Sequence, residues 1–310
     1  MFRTPRRQST RLSSIPALVV LVLSVAITAC QQRSEPETGH DGHADHAPAA
    51  LGSLPPCGDG PVPDLALKAR KDRIAKGVYR ASRRIDVDGD LELWETPYGR
   101  YWVVAGNFNT MSEVLGEQAI EIYGDAERGV RKGDVVLDGG AHFGAFTRKA
   151  LDRGASLVVA IEIAPENIAC IRRNFAEEIA RGRVIVYEKG VWDKDDTMVL
   201  ERKNHTWADR VAEAGPGPTV SVTTIDRIVS ELKLPRVDFI KLDIEGAERN
   251  ALAGAAATME RHRPRMAVAS YHREDDLEVL PGLALRAQPA YTTCVGGAGL
   301  GHGYTTLFFK

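Results

Sequence analysis

The sequence predicts an α/β protein with a mostly parallel sheet that is covered by helices on both faces. From about residue 134, short apolar runs alternate with amphipathic segments, a pattern typical of strand–helix–strand units. Runs such as "VVLDGG" and "SLVVAIEI" are nearly continuous in apolar residues, which indicates strands buried on both faces. Ligands of such sheets bind beyond the carboxyl ends of the strands, so polar residues at those ends are the functional candidates.

The elements follow in order along the chain. "LELWETPYGRYWVV" predicts a hairpin, because two β-prone runs flank a Pro- and Gly-containing turn. "MSEVLGEQAIEIYG" predicts an amphipathic helix. Strands are then predicted in "DVVLDGG", "SLVVAIEI", "RVIVYEKGVW", "VDFIKLDI" and "RMAVASYH", with helices between them. "TMVLERK" and "TVSVTTI" are expected to form an extra pair or edge.

The predicted domain organisation has four parts. Residues 1–29 are a signal peptide, because a basic segment precedes a 13-residue apolar run, shorter than the ~20 residues of a membrane span. "ITAC" resembles a bacterial lipobox and would make Cys30 the lipidated residue. Residues 30–63, rich in Pro, Gly and His, are a tether, residues 64–131 an extension with the hairpin and helix, and residues 132–310 the main domain.

Composition limits the partners. The first 29 residues hold four of the 40 basic residues and no acid, so the remainder has 36 basic against 42 acidic residues. A nucleic-acid surface would need a basic face, and a small molecule or a glycan is the expected partner. If Cys30 carries lipid, the other three cysteines permit at most one disulfide. The tether histidines, spaced three apart, are interpreted as part of a spacer, with weak metal binding as the alternative.

The glycine-rich loop in "VVLDGGAHFGAFT" leaves two ligands open. Gly139, Ala141 and Gly144 fit a variant of the dinucleotide fingerprint, and Glu162 ends the next strand, where it would bind ribose. The pattern suits a nicotinamide dinucleotide or S-adenosylmethionine. Asp138 favours S-adenosylmethionine, because a carboxylate before the glycines repels a pyrophosphate and attracts a sulfonium or an ammonium group.

Four stretches together resemble the FkbM family of S-adenosylmethionine-dependent methyltransferases: "GDVVLDGGAHFGAFT", "VVAIEIAPEN", "DFIKLDIEGAERNAL" and "SYHREDDLEVLP". "TPYGRYWV" and "GHGYTTLFF" extend the resemblance over roughly residues 90 to 310. The family implies a Rossmann-like class I methyltransferase fold with seven strands, and methyl transfer to an oxygen, often of a sugar or natural product.

The resemblance implies roles for particular positions. Asp138, Gly140, Ala141 and Gly144 would form the donor loop, and Glu162 with Ile163 would hold the ribose end. The sequence departs from the family's pattern at Gly139 and His142, where an apolar residue and Asn are expected. Neither departure removes a needed charge.

The catalytic candidates lie at two other strand ends. Asp243 is the first candidate for a general base, and Glu245 would point to the same side if the strand stays extended. His272 is the second candidate base, because a histidine titrates near neutrality. Glu248 is expected in the first turn of the next helix, where an acid suits the dipole. Asp243 and Glu245 would also suit a divalent ion such as Mg²⁺, but the sequence assigns no third ligand, so a metal is not favoured.

Three functions follow from these observations. The leading one is an O-methyltransferase at the membrane of a bacterial cell envelope, or in the cytoplasm if the signal is not used. The second is an exported ligand-binding domain without turnover, and the third is an NAD-dependent oxidoreductase. The acceptor and the oligomeric state are not encoded in these patterns.

Overall fold

The computed structural model describes residues 54–58, 64–202, 209–297 and 305–310. All of them belong to one compact unit, Ala47–Lys310, so residues 64–131 and the following domain are parts of the same unit. The expected signal peptide, Cys30 and the tether histidines lie outside the described residues. Within the described ranges, the helices are all too short or too polar to cross a membrane.

The described part of the chain folds into helices and strands in the following order. The helices are α1 Leu65–Ala81, α2 Phe108–Ala119, α3 Ala145–Asp152, α4 Pro165–Asn174, α5 Ala176–Ala180, α6 Ile225–Glu231, α7 Glu248–Ala253, α8 Ala256–His262 and α9 Asp276–Ala287. The strands are β1 Arg83–Asp88, β2 Leu91–Thr96, β3 Gly99–Val104, β4 Val135–Gly139, β5 Leu157–Ile161, β6 Val184–Tyr187, β7 Gly190–Val191, β8 Asp196–Glu201, β9 Arg210–Ala212, β10 Thr219–Thr223, β11 Phe239–Leu242, β12 Arg265–Ala269, β13 Thr293–Gly297 and β14 Thr305–Phe309.

The central sheet has seven strands in the order β13-β14-β12-β11-β4-β5-β6. The five strands from β12 to β6 pair in parallel, whereas β14 pairs antiparallel with both of its neighbours. The sheet is therefore mixed: it is mostly parallel, as predicted, and β14 is its antiparallel strand. The remaining strands form two smaller sheets, β1-β2-β3 and β7-β10-β8-β9, and the predicted extra pair is β8 with β10.

Helices cover the central sheet on both faces, as predicted. Val135 and Leu137 of β4 belong to an apolar cluster with residues of α6, α7, α8 and α9. Val136, between them, belongs to a second cluster with residues of α3 and α4. Because successive side chains of a strand point to opposite faces, these two clusters are the two sides of one sheet.

The N-terminal part is richer than the sequence predicted. The hairpin is β2 and β3, and β1 adds a third strand. The helix α1 was missed, since few of its residues are large and apolar. It begins after Asp64, whose Oδ1 accepts a hydrogen bond from the backbone N–H of Leu67, and it packs against α2. The buried Lys71 of α1 is neutralised by Glu113 of α2.

One disulfide joins Cys57 to Cys294, so the segment before α1 is fixed to β13. Cys170 is a buried free thiol on α4, in agreement with the expectation of at most one disulfide. Burial raises the pKa of the Cys170 thiol to about 12, so it stays protonated and acts as a core residue.

Gly144 provides a test of how tightly the loop before α3 is packed. Its φ is +92°, and a Cβ there would lie 2.2 Å from Cε2 of Phe175. Gly182 also has a positive φ, +69°, but nothing lies within 4 Å of its hypothetical Cβ. We expect Gly182→Ala to cost about 1–2 kcal/mol of unfolding free energy, the ordinary penalty of a left-handed backbone.

Gly144→Ala should cost clearly more than Gly182→Ala, because it adds a steric clash to the same backbone penalty. Urea unfolding of both variants measures the difference. Equal losses would mean that Phe175 yields to the added methyl group and that the loop is not tightly packed.

Candidate active site

A cavity of about 530 Å³ opens at the carboxyl ends of β4, β5 and β11. This is where ligands bind in open α/β sheets, and the volume is within the range of small-molecule sites. Side chains of α2 and residues around β7 and β9 form its other walls. The residues that line it include Glu117, Tyr123, Gly140, Ala141, His142, Glu162, Ile163, Asn167, Lys241, Asp243, Glu245 and Tyr271.

The glycine loop leaves β4 in close contact with the neighbouring strand end. Gly140 has a φ of +74°, and a Cβ there would lie 2.0 Å from the carbonyl oxygen of Asp243. The backbone N–H groups of Gly140 and Ala141 both donate to the carbonyl of Ile161. Glycine is therefore required at position 140, because any side chain would push the ends of β4 and β11 apart.

Glu162 holds the loop from the end of β5. One carboxylate oxygen accepts a hydrogen bond from the backbone N–H of His142, and the other accepts from Ile163 and Ala164, at 2.8–2.9 Å. Burial raises the pKa of Glu162, although these donors act against the rise. A carboxylate has about four acceptor positions, so one remains for a ligand.

Asp138 does not face the cavity as the sequence suggested. It is fully buried, accepts a hydrogen bond from the Thr147 hydroxyl at 2.7 Å, and lies 3.2 Å from Nζ of Lys241. The same Nζ donates to the carbonyls of Gly139 and Gly140, at 2.9 and 2.7 Å. Asp138 thus anchors Lys241 beneath the loop, and its charge is balanced within the protein.

Asp243 stands at the cavity wall just after β11. The Tyr123 hydroxyl donates to Oδ2 at 2.5 Å, and the Tyr271 hydroxyl donates to Oδ1 at 2.9 Å. Burial alone would raise the pKa of Asp243, but Lys241, His272 and the two hydroxyls lower it below its ordinary value. The carboxylate is consequently well oriented and anionic, but weakly basic.

His272 lies behind Asp243 among three carboxylates. Its Nε2 is 3.6 Å from Oδ1 of Asp243 and 3.5 Å from Oε1 of Glu245, and its Nδ1 is 3.0 Å from Oε1 of Glu248. Burial alone would lower the pKa of His272, but these three acids raise it to about 11. A histidine held protonated at neutral pH is a poor general base, which weakens the predicted role.

The three acids of this segment converge in a way that the strand pattern did not predict. β11 ends at Leu242, and Glu245 has a φ of +56°, so alternation along an extended strand is not the cause. A turn brings Glu245 beside Asp243 instead. Glu248 begins α7 as expected, and its Oε1 also accepts a hydrogen bond from the backbone N–H of Ile244.

Sequence reasoning missed several groups of the site. Burial, and then the charge of Asp243, raise the pKa of Glu117 to about 8. Asn167 is 2% exposed, and its Oδ1 has no hydrogen-bond partner among the described residues. The lysine in "IKLDIEG" was a visible signal for Lys241, because a lysine inside a buried strand needs a partner.

Only some of the residues predicted to bind the methyl donor line the cavity. Gly140, Ala141, Glu162 and Ile163 line it, whereas Asp138 and Gly144 are not among the described residues that do. His142 lines the cavity with a φ of +53°, a conformation that Asn tolerates better than most residues. Burial, followed by the charge of Lys241, lowers the pKa of His142 to about 4.

Comparison with known proteins gives one family. Residues 138–286 match the family model described as the methyltransferase FkbM domain, which includes the glycine loop, Glu162, Asp243 and His272. The match supports a methyltransferase. No curated protein sequence matches the chain.

Several solved structures are similar to this chain. A methyltransferase FkbM from Methylobacillus flagellatus KT has 19% sequence identity and a TM-score of 0.47, over 79% of this chain and 60% of that chain. An O-methyltransferase from Bacillus cereus in complex with SAH has 14% identity and a TM-score of 0.37, over 57% of this chain and 72% of that chain. The chain thus spans less than two thirds of the length of the first of these proteins.

The ion pair beneath the loop provides a second test. Lys241→Met leaves the buried Asp138 carboxylate without a cation, and loss of one partner of a buried pair costs about 3–5 kcal/mol. We expect the double variant Asp138→Asn/Lys241→Met to be more stable than Lys241→Met alone, because it removes the unpaired charge. Urea unfolding checks the order. A double variant as unstable as Lys241→Met would show that Lys241 acts through the two carbonyls and not through Asp138.

Proposed function

We propose that this protein is an S-adenosylmethionine-dependent methyltransferase that acts on a hydroxyl oxygen of a small molecule or a glycan. The observation that carries the proposal is the meeting of three strand ends at one cavity. The glycine loop after β4 and Glu162 after β5 suit the nucleoside part of the donor, and Asp243 after β11 supplies a carboxylate for the reacting end. The match of residues 138–286 to the FkbM domain supports the same conclusion.

The residues present fit the donor. Glu162 keeps an acceptor position that a ribose hydroxyl would fill. Among the described residues, the buried Oδ1 of Asn167 has no hydrogen-bond partner, and a donor such as an amino group would satisfy it. Gly140 lines the cavity without a side chain, so its backbone atoms would allow a bound donor to come close.

The choice between this donor and a dinucleotide rests on the cavity rather than on Asp138. Since Lys241 balances Asp138, that carboxylate does not decide between the two ligands. The charged residues lining the cavity are Glu113, Glu117, Glu162, Asp209, Asp243 and Glu245 against Lys189, Arg210 and Lys241. Glu113 and Asp209 are paired with Lys71 and Arg202, but the carboxylates of Glu162, Asp243 and Glu245 would repel a pyrophosphate and attract a sulfonium or an ammonium group.

Different residues of the cavity would orient the acceptor hydroxyl and accept its proton. S-adenosylmethionine supplies, when bound, a methyl group on a positively charged sulfur. Asp243, fixed by Tyr123 and Tyr271, would orient the acceptor hydroxyl. Glu117 would take the hydroxyl proton on its carboxylate, since its pKa of about 8 makes it a stronger base than Asp243 and leaves part of it ionised near neutrality.

Two variants should separate binding from turnover. Glu162→Gln replaces an acceptor oxygen with an N–H₂ group facing backbone donors, and we expect S-adenosylmethionine to bind at least tenfold more weakly. Glu117→Gln should leave donor binding nearly unchanged and lower kcat, about 10²-fold or more. Calorimetric titration measures binding, and release of S-adenosylhomocysteine over a panel of glycosides and small alcohols measures turnover.

Glu166→Gln is the matched control for Glu162→Gln, because Glu166 is a nearby acid that pairs with Arg202 outside the cavity. It should bind the donor like the wild type. Folded wild-type protein that binds neither S-adenosylmethionine nor NAD⁺ would refute the enzyme and favour an exported binding domain. Binding of NAD⁺ alone would favour the oxidoreductase.

We further infer that the protein is exported and anchored through lipid on Cys30. The support within the described residues is the Cys57–Cys294 disulfide, because such bonds form and persist in oxidising compartments. Expression in a bacterial host with a clickable fatty acid should label the wild type and place it in the membrane fraction. Cys30→Ala should abolish the label. Unlabelled wild-type protein in the cytoplasmic fraction would refute the anchor.

A further inference from the structure

Three side chains near the cavity present ligand atoms to one point. Asp243, Glu245 and His272 each offer one atom, and these atoms lie within 4.8 Å of one another. Asp243 and Glu245 belong to the turn after β11, and His272 lies just after β12. The parallel pairing of β11 with β12 brings these two strand ends together, so the fold itself assembles the group.

The His272 ring shows that the group is more than a cluster of acids. Its side chain is 10% exposed, and Nε2 has no hydrogen-bond partner among the described residues. The 3.5 and 3.6 Å separations from Glu245 and Asp243 are too long for good hydrogen bonds. They are close to the roughly 3.4 Å that separates two ligand atoms on a tetrahedral ion with bonds of about 2.1 Å.

The other ring nitrogen has the environment of a metal-binding histidine. Nδ1 lies 3.0 Å from Oε1 of Glu248, although the ring is not aligned well enough for either nitrogen to count as hydrogen-bonded. Glu248 is 1% exposed, and its Oε1 is fixed by the backbone N–H of Ile244. A carboxylate behind a ligating histidine orients the ring and increases its basicity.

The charge of this region calls for a cation. The carboxylates of Asp243, Glu245 and Glu248 all face His272, and they are mostly buried. Lys241, the nearby lysine, already contacts Asp138 and two carbonyls. Three buried carboxylates around one imidazole are costly, so a divalent ion that replaces the proton at Nε2 and supplies a second positive charge would stabilise the group.

We propose that Asp243, Glu245 and His272 bind one divalent transition-metal ion at the wall of the cavity. A mixed imidazole and carboxylate set suits ions such as Zn²⁺ and Mn²⁺. Three protein ligands leave a coordination position open, and Asp243 and Glu245 line the cavity. An acceptor oxygen there would be held by the ion. That last role rests on the proposed function, whereas metal binding does not.

The test is calorimetric titration of Mn²⁺, and separately Zn²⁺, into chelator-treated full-length protein. His40, His43 and His46 are replaced by Ala throughout, so that the tether contributes no sites. We expect one equivalent of metal to bind to this background. His272→Asn should weaken binding at least 30-fold, and Glu248→Gln, which acts through the ring, about 10–100-fold.

His142→Asn is the matched control, because His142 lines the same cavity outside the group. Its metal affinity should equal that of the background. Glu245→Gln serves as a second ligand variant if His272→Asn does not fold, and it should also lose the metal. No stoichiometric binding, or equal affinities of the His272 and His142 variants, would overturn the proposal. Neither titration contains a methyl donor, so the result is independent of the proposed enzymatic activity.

Discussion

The site depends on the position of a single ammonium group. Nζ of Lys241 reaches from β11 to the carbonyls of Gly139 and Gly140 and to the buried carboxylate of Asp138. It therefore joins the ends of β4 and β11 at the point where the chain must turn away from the sheet. The carbonyl of Gly139 also accepts from the backbone N–H of Asp243, but without Lys241 the buried Asp138 carboxylate would be unpaired, which is unfavourable.

The charged groups that stabilise the loop are therefore different from those that face the cavity. Asp138 and Lys241 neutralise one another beneath the loop, so the acids that face the cavity determine its electrostatic character. Backbone N–H groups fill most acceptor positions of Glu162, and two tyrosine hydroxyls donate to Asp243. Burial raises the pKa of Glu117. Similar carboxyl groups acquire different basicities from these neighbours, and different roles become available to them.

Much of the fold and of the candidate site could be predicted from the sequence. The other features could not be predicted, for physical reasons. The alternation of apolar strands and helices predicted both covered faces of the sheet. Glu162, Asp243 and His272 were predicted because strand ends are recognisable in the sequence, and the structure places them just after β5, β11 and β12. Asp138 was misplaced because a pattern of residue types does not show which cation balances a charge. Glu117 was missed because the sequence does not show that its helix, α2, packs over the cavity.

The sequence also did not show how Asp243, Glu245 and His272 come together. Alternation along a strand suggested that the two acids share a side, but the left-handed backbone at Glu245 is what turns its carboxylate toward His272. A non-glycine residue in that conformation costs free energy. Sequence gives no sign of such a turn. His272, which lies close to the two acids, follows β12 and is distant from Asp243 along the chain. The parallel pairing of β11 with β12 brings the ends of these two strands together in space.

The disulfide and the cavity lie in different parts of the same sheet, and this bears on where the protein works. Cys294 is in β13, at one edge, and the glycine loop follows β4, four strands away in the sheet order, or roughly 19 Å at about 4.8 Å per strand. The described contacts of Glu162, Lys241 and Asp243 include no atom of the disulfide. Oxidation of these two cysteines therefore constrains the edge of the sheet, whereas the glycine loop, Glu162 and Asp243 follow central strands. The fold can satisfy both demands at once, so the presence of the disulfide is no argument against a functional donor site.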